Sequence, residues 1–298
     1  MKGESVLNDL KLKLMRCLIS VYLRLPVKPF QGILSQIFLR YRRAGKDKVV
    51  ITKVDGIKFS LDLNESIDSF IYHTGTYEPM TVAFANKYLK PGMTAFDVGA
   101  NIGWYTLRFA GLVRENGRVI AFEPMSQAFL KLKSNVELNE FQNIILEKLA
   151  LSDTTQEGQA CFFHSWRLDV GGLPNTLDNE EAVSFVTLDE YVSGNHLDRI
   201  DLIKIDVEGY EHKVIQGGLK TIQRLKPTMI IEFNRPNLSR LGYSLDGLID
   251  LLGSLGYSFY SERDMKRYSS RESLLKAVPE AEAVNVICLR DNSHNRGL

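Results

Sequence analysis

Several features are scarce in this chain of 298 residues, and each scarcity excludes a class of protein. The chain has three cysteines, widely separated and without a CxxC pair, so we expect neither a disulfide framework nor a structural zinc site. No segment approaches the ~20 consecutive apolar residues of a transmembrane helix. With 44% hydrophobic and 24% charged residues, a mainly disordered or collagen-like chain is excluded as well. The cysteine usage favours a reducing compartment, and we predict a cytoplasmic protein.

The net charge of +1 hides a basic N-terminal segment. Residues 1–50 contain 11 Lys and Arg but three acidic residues, a balance of +8, and the rest of the chain carries −7. Apolar residues recur there at helical spacing with basic residues between them, which predicts a basic helical appendage over residues 1–47. Two interpretations stay open. The helices pack on the main domain with their basic side chains in solvent, or residues 1–48 make peripheral contact with an anionic membrane or partner.

Residues 48–92 are predicted to form an entry region. Two segments of alternating hydrophobicity flank Asp55-Gly56 in the run KVVITKVDGIKFSLDL, which is a strong hairpin signal. Helical stretches follow, and Pro91-Gly92 turns the chain into the first strongly apolar strand. We interpret this region as a lid over a cofactor. Within it, Glu78 is predicted either to close over the cofactor or to pack within the fold.

From residue 93 to residue 298 apolar strands alternate with helices. Strands with little internal alternation, separated by helices, predict an α/β domain with a mainly parallel sheet covered by helices on both faces. The predicted strands are 94–98, 118–122, 144–149, 202–205, 228–233, 257–260 and 283–289, and the predicted helices are 104–113, 126–138, 211–225 and 245–255. Ligands of such sheets bind over the carboxyl ends of the strands, so function is sought there.

The first predicted strand ends in a carboxylate and a glycine loop, DVGANIGWYT from Asp97 to Thr106. Gly99 and Gly103 permit a tight turn and the close approach of a ligand, and the following helix begins with free N–H groups. The second strand ends in Glu123, where a carboxylate can accept hydrogen bonds from both hydroxyls of a ribose. The loop is DxGxNxG rather than GxGxxG. Its leading Asp97 would repel a diphosphate but could orient an ammonium group, which favours S-adenosylmethionine over NAD.

Four motifs resemble the FkbM-type S-adenosylmethionine-dependent methyltransferases: DVGANIGWYT, AFEP at 121–124, LIKIDVEGYE at 202–211 and KPTMIIEFN at 226–234. The resemblance spans roughly residues 75–260. It implies a class I methyltransferase fold, a Rossmann-like arrangement with a sheet of seven strands of which the last is antiparallel. It does not extend to residues 1–50.

The resemblance also implies roles for individual residues. The loop residues would bind the methionine part of the cofactor, and Glu123 would bind its ribose; these loop residues are Asp97, Gly99, Ala100, Asn101 and Gly103. Ser152 is expected near the adenine, with a plain turn residue as the alternative. Asp206 is also assigned to the cofactor site.

The fourth core strand ends in the charged run LIKIDVEGYE. Methyl transfer to a hydroxyl needs an oriented acceptor and a group that takes its proton. Asp206 is the first choice for this base, and Glu208 and His212 are the alternatives. Lys204 is expected to pair with Asp206 or with Glu232, because a buried charge is costly without a partner.

A magnesium ion is a further possibility at this edge of the sheet. Asp206, Glu232 and Asn234 would supply oxygen ligands, and the ion would acidify a substrate hydroxyl. The spacing of the three residues is not specific for a metal, and Glu232 is equally explained as a partner of Lys204.

The sequence predicts an enzyme that transfers a methyl group from S-adenosylmethionine to a hydroxyl of a saccharide, a glycosylated molecule or a polyketide-like small molecule. Trp166 and Arg167, in a long loop, are expected to contact this acceptor. Nucleic acid is not expected as a partner, because residues 51–298 are acidic overall. The alternatives are a nicotinamide-dependent sugar oxidoreductase or epimerase and a non-catalytic, membrane-associated cofactor-binding module. The oligomeric state is not predicted.

Overall fold

A computed structural model describes residues 49–160 and 181–290. The predicted basic appendage and the acceptor loop with Trp166 and Arg167 lie outside these residues. The described residues fall into two compact units, one of residues 49–78 and one of the remainder. Across the described ranges, no helix has both the length and the hydrophobicity needed to cross a bilayer.

The first unit is a hairpin followed by a helix. Strands β1 (Val49–Val54) and β2 (Ile57–Asp62) pair antiparallel, and helix α1 (Ser66–Thr74) follows. Asp55 and Gly56 connect the strands with φ angles of 50° and 88°. Two consecutive residues with positive φ are typical of the type I′ turn that the Asp-Gly pair predicts. The hairpin prediction is therefore confirmed.

The second unit alternates strands and helices as the sequence predicts. Its strands are β3 (Thr94–Val98), β4 (Arg118–Phe122), β5 (Ile144–Glu147), β6 (Ala150–Ser152), β7 (Gln156–Ala160), β8 (Glu181–Thr187), β9 (Leu202–Ile205), β10 (Thr228–Phe233), β11 (Tyr257–Ser261) and β12 (Val284–Arg290). Its helices are α2 (Pro79–Tyr88), α3 (Trp104–Val113), α4 (Ser126–Glu137), α5 (Leu188–Gly194), α6 (Glu211–Gln216), α7 (Leu219–Leu225), α8 (Arg235–Arg240), α9 (Leu245–Ser254) and α10 (Arg271–Ala277).

In the described part of the chain, seven of these strands form one sheet in the order β11-β12-β10-β9-β3-β4-β5. Strand β12 is antiparallel to both of its neighbours, and the pairs from β10 to β5 are parallel. A mainly parallel sheet of seven strands whose last strand is antiparallel is the class I methyltransferase architecture. The predicted fold class is therefore confirmed.

The two faces of this sheet differ in chemistry. Phe96, Ile203, Ile231 and Val286 belong to one face and are buried in the large apolar core, together with residues of helices α6 to α10. The opposite face carries polar side chains near the carboxyl ends of the strands. Register places Asp97 beside Lys204, and Glu232 opposite Asn285. Because Ile230 pairs with Lys204 and strand side chains alternate between faces, Glu232 points to the same face as Lys204.

Two predicted elements differ from the structure by more than one residue. The predicted strand 144–149 ends at Glu147, and β6, β8 and β7 form a separate three-stranded sheet in the described residues. The predicted helix 211–225 is divided at Gly217 and Gly218 into α6 and α7. A Cβ atom at Gly217 would lie 1.9 Å from the carbonyl oxygen of Ser152, so this contact between α6 and β6 requires glycine.

Helix α4 offers a matched test of the packing below the glycine loop. Leu132 is fully buried against Ala100 and Ala121, whereas Leu130 is 64% exposed on the same helix. We expect Leu132→Ala to lower the free energy of unfolding by about 2–5 kcal/mol, because it leaves a cavity, and Leu130→Ala to change it by less than about 0.5 kcal/mol. Urea denaturation followed by circular dichroism measures both. Equal effects of the two substitutions would contradict the placement of this helix.

Candidate functional site

The loop from Gly99 to Gly103 connects the end of β3 to the start of α3. The φ angles of Gly99, Asn101 and Gly103 are 85°, 47° and 87°. The N–H groups of Gly99 and Ala100 both donate to the carbonyl oxygen of Phe122, each at 3.0 Å. These bonds fix the loop against the end of the neighbouring strand β4, where Glu123 follows.

The two glycines are required by contacts within the protein. A Cβ atom at Gly99 would lie 1.8 Å from the backbone oxygen of Asp206, and one at Gly103 would lie 2.7 Å from Cδ1 of Leu132. The sequence assigned these glycines to a tight turn and to the close approach of a ligand. Their positive φ angles fit the turn, and the atoms that approach the two positions belong to Asp206, directly after β9, and to α4. The assignment of the loop to a cofactor site stays a prediction, with a different physical reason for its glycines.

Asp97 is buried at the carboxyl end of β3. Its Oδ2 accepts a hydrogen bond of 2.5 Å from the hydroxyl of Thr106, in the first turn of α3. Burial raises the pKa of Asp97 to about 6, although the Thr106 bond and the charge of Lys204 favour the carboxylate. The strand and the helix thus hold a carboxyl group that ionises near neutral pH.

Glu123 is buried directly after β4 and is bonded to the glycine loop. Its two carboxylate oxygens accept hydrogen bonds from the backbone N–H groups of Asn101, at 2.8 Å, and Met125, at 3.0 Å. Burial raises the pKa of Glu123 to about 7, and these two bonds oppose the shift. Since a carboxylate has about four acceptor positions, Glu123 can hold the loop and still accept bonds from ligand hydroxyls.

Lys204 is fully buried in β9, and its Nζ donates to Oδ2 of Asp206 at 3.0 Å. The ammonium also lies 5.3 Å from the centre of the Tyr105 ring. Asp206 is partly exposed, with 27% of its side chain accessible. The predicted pairing of Lys204 therefore occurs with Asp206, and it engages one oxygen of the residue predicted to be the base.

The two alternative bases have other contacts. Glu208 is exposed, and its Oε2 accepts a hydrogen bond of 2.5 Å from the side-chain amide of Asn237. The ring of His212 stacks on Tyr243 with centroids 4.4 Å apart, and Tyr243 packs against the large apolar core. Burial lowers the pKa of His212. His212 is thus associated with the apolar face rather than with the carboxylates.

Ser152 and Glu78 lie in other elements. Ser152 is buried at the end of β6, and its hydroxyl donates to Oδ1 of Asp153 at 3.0 Å. Glu78 is the last residue of the first compact unit and has a φ of 45°. The roles of both residues in cofactor binding stay predictions.

The structure does not support the magnesium set. The side-chain oxygen of Asn234 accepts a hydrogen bond from the N–H of Asn237 at 3.2 Å, which caps helix α8. Within the described ranges, no group of three or more His, Cys, Asp and Glu side chains is arranged to hold a metal ion. Asp206, Glu232 and Asn234 lie near the carboxyl ends of the neighbouring strands β9 and β10, and the side-chain oxygen of Asn234 is engaged in the helix cap.

Sequence reasoning missed two supporting residues. Thr106 bonds Asp97, and Glu211 is buried at the start of α6, where its Oε1 accepts from the N–H groups of Val207 and Gly209 at 3.1 and 3.2 Å. Glu211 stands inside the motif LIKIDVEGYE, but among three acids in six residues nothing in the sequence showed which one would be buried.

Residues 97–259 match the sequence profile described as the methyltransferase FkbM domain. The chain belongs to this family. The FkbM domain thus covers the glycine loop, Glu123 and the acidic end of β9, and it ends within β11.

Two curated relatives are similar to the FkbM domain of this chain. A 31-O-demethyl-FK506 methyltransferase of Streptomyces tacrolimicus is 28% identical over 159 residues, which is 43% of this chain and 60% of that protein. A 2-O-methyltransferase, NoeI, of Sinorhizobium fredii is 28% identical over 183 residues, 55% of this chain and 73% of that protein. The chain thus spans less than two thirds of the length of the first of these relatives.

Among solved structures, a methyltransferase FkbM from Methylobacillus flagellatus is 15% identical, with a TM-score of 0.42 over 74% of this chain and 52% of that one. A methyltransferase structure from Streptococcus mutans, in complex with SAH, is 12% identical, with a TM-score of 0.41 over 70% of this chain and 95% of that one.

The buried carboxyl groups predict a pH dependence of stability. Burial raises the pKa of Asp97 to about 6 and those of Glu123 and Glu211 to about 7. Between about pH 4.5 and 7 the folded chain therefore holds more protons than the unfolded chain, and the free energy of unfolding falls as pH rises. Glu211→Gln keeps the side-chain oxygen but removes one titration, so we expect a slope shallower by up to about 1.4 kcal/mol per pH unit.

Urea denaturation at several pH values between about 5 and 8 measures this slope. Glu137→Gln, on the exposed surface of α4, is the matched control and should retain the slope of the unmodified protein. Identical slopes for Glu211→Gln and the unmodified protein would show that Glu211 ionises normally.

Proposed function

We propose that the protein is an S-adenosylmethionine-dependent methyltransferase that acts on a hydroxyl group of a saccharide, a glycosylated molecule or a polyketide-like small molecule. The observation that carries the proposal is the pair of buried carboxyl groups, Asp97 and Glu123, at the ends of neighbouring parallel strands and joined by the glycine loop. Membership of the FkbM family supports the activity, and the names of the two relatives support transfer to oxygen.

The chemistry of these side chains fits the cofactor. S-adenosylmethionine is a sulfonium cation with an ammonium group and two ribose hydroxyls. Carboxylates attract its two positive charges and accept hydrogen bonds from its ammonium and hydroxyl groups. Burial makes the ionised forms of Asp97 and Glu123 unfavourable, which raises their pKa values. A cationic ligand that donates hydrogen bonds would stabilise these ionised forms. A diphosphate would add negative charge beside Asp97, which disfavours the nicotinamide alternative.

Three residues would bind different parts of the cofactor. Asp97 would orient the amino-acid end of the cofactor, Glu123 would hold the ribose while it fixes the N–H of Asn101, and Ser152 would lie near the adenine. Bound in this way, the cofactor supplies an electrophilic methyl group. The protein must then place an acceptor hydroxyl and remove its proton, and we assign this step to the carboxylates near the carboxyl ends of β9 and β10.

Calorimetric titration with S-adenosylmethionine, S-adenosylhomocysteine and NAD tests the class of ligand. We expect micromolar binding of the two adenosyl sulfur compounds and none of NAD. Binding of NAD, or of none of the three, would refute the proposed function. Transfer of a labelled methyl group to methyl glycosides or to a polyketide macrolide then tests the acceptor class.

Glu123 provides the sharpest test of the site. Glu123→Ala removes a charged acceptor for two hydroxyls and releases the N–H of Asn101, so we expect the affinity for S-adenosylhomocysteine to fall by about 1.5–3 kcal/mol, roughly 10- to 150-fold. Glu137→Ala, which removes an exposed glutamate from α4, is the control and should bind normally. An unchanged affinity in Glu123→Ala would remove this residue from the ribose site.

A further inference from the structure

Glu232 lies near the carboxyl end of β10 with a carboxylate oxygen that no group in residues 49–160 and 181–290 satisfies. Its Oε2 is shielded from solvent and has no hydrogen-bond partner among the described residues, whereas the residue as a whole is partly exposed. An unsatisfied buried acceptor is costly, so its presence in a folded protein calls for an explanation. A ligand that donates a hydrogen bond or brings positive charge would satisfy this oxygen.

Strand register places Glu232 beside the candidate site. Ile231 pairs with Ile205 in the parallel ladder of β10 and β9, so Glu232 is adjacent to Asp206 one position further. In the other direction Glu232 pairs with Asn285 of β12. Since Asp97 pairs with Lys204, the polar side chains of four adjacent strands point to one face at the same edge of the sheet.

The charged groups around Glu232 are mostly negative. Asp206 and Glu208, after β9, and Glu211, on α6, oppose its ionisation, and Lys204 favours it. Burial and the first two of these carboxylates raise the pKa of Glu232 well above its usual range. Asp206 differs from Glu232, because one of its oxygens is engaged by the ammonium of Lys204 at 3.0 Å. The ion pair occupies this oxygen of Asp206, whereas Oε2 of Glu232 makes no hydrogen bond within the described residues.

We propose that Glu232 takes the proton of the acceptor hydroxyl, and that Asp206 is a positioning residue that holds Lys204. This inference rests on the proposed function. The hydroxyl O–H bond breaks with its proton passing to the Glu232 carboxylate. The oxygen forms a bond to the methyl carbon as the carbon–sulfur bond of the sulfonium breaks and leaves its electron pair on sulfur. Glu232 then releases the proton to solvent and returns to its carboxylate form.

The protonation of Glu232 should respond to the bound cofactor even when no methyl acceptor is present. A sulfonium cation bound at this edge favours the ionised form of Glu232, whereas the neutral thioether of S-adenosylhomocysteine does so less. Binding of the cation should therefore expel a proton from Glu232 and prepare it to act as a base. In this way the base becomes ready when the methyl donor is bound.

Calorimetry in two buffers of different ionisation enthalpy counts the protons released on binding. At about pH 7 we expect S-adenosylmethionine to release up to about one proton more than S-adenosylhomocysteine. Glu232→Gln should reduce this difference to near zero while it retains binding. Glu272→Gln, which changes an exposed glutamate of α10, is the control and should keep the difference.

Three outcomes would overturn the inference. Equal proton release by both compounds in the unmodified protein, or a difference that survives in Glu232→Gln, would refute the role of Glu232 while the cofactor site stands. Absence of S-adenosylmethionine binding would instead refute the proposed function, and the inference with it. If Glu232→Gln does not fold, a pH series on the unmodified protein decides, because the difference must vanish at high pH, where Glu232 is already ionised.

Discussion

The candidate site depends on the ion pair between the buried ammonium of Lys204 and the carboxylate of Asp206. A lysine with no exposed side-chain surface in the middle of a sheet costs several kcal/mol unless carboxylates compensate it. Asp206 provides the direct partner, and Asp97 is its neighbour on the adjacent strand. The lysine therefore explains why acidic residues can stand at the ends of several strands. The carboxyl groups around it outnumber its single charge, so the balance of this edge is negative and suits a cationic ligand.

The alternation of side chains along the strands places Asp97, Lys204 and Glu232 on one face of the sheet. Along β3, β9 and β10 the residues alternate between the apolar core and the polar face, so Phe96 is followed by Asp97 and Ile231 by Glu232. A slip of one residue in any of these strands would turn its charged side chain, Asp97, Lys204 or Glu232, toward the apolar core and move its hydrophobic neighbour to the polar face. The large core thus stabilises the fold and also sets which side chains meet at the functional edge.

Much of this arrangement was predictable from the sequence. Apolar strands and helical periodicity located β3, β4, β9 and β10 with their observed bounds, because burial on both faces leaves an uninterrupted hydrophobic run. The acids directly after or within those strand ends, Asp97 and Glu123 among them, followed from the rule that ligands bind over the carboxyl ends of parallel strands.

The remaining features depend on contacts between distant segments. The predicted helix 211–225 is divided where Gly217 approaches β6. The backbone oxygen of Asp206, over a hundred residues away, leaves no room for a side chain at Gly99. Glu211 accepts bonds from a turn in its own motif, but its burial depends on what packs over α6. Residue type and spacing do not reveal such contacts, so the sequence predicted the tight turn at these glycines but not the contact with Asp206, and it did not single out Glu211.

The site is electrostatically unfavourable without a ligand, and this property connects stability to function. Carboxyl groups with raised pKa values, such as Asp97, Glu123 and Glu232, reduce the stability of the empty protein near neutral pH because their ionised forms are poorly solvated. A ligand that brings positive charge and hydrogen-bond donors recovers that free energy on binding. In the proposed function, the neutral thioether left after methyl transfer would recover less of it. In the proposed function, the same cluster of carboxylates would therefore favour the charged methyl donor over its product, and the cost in stability would be the source of that preference.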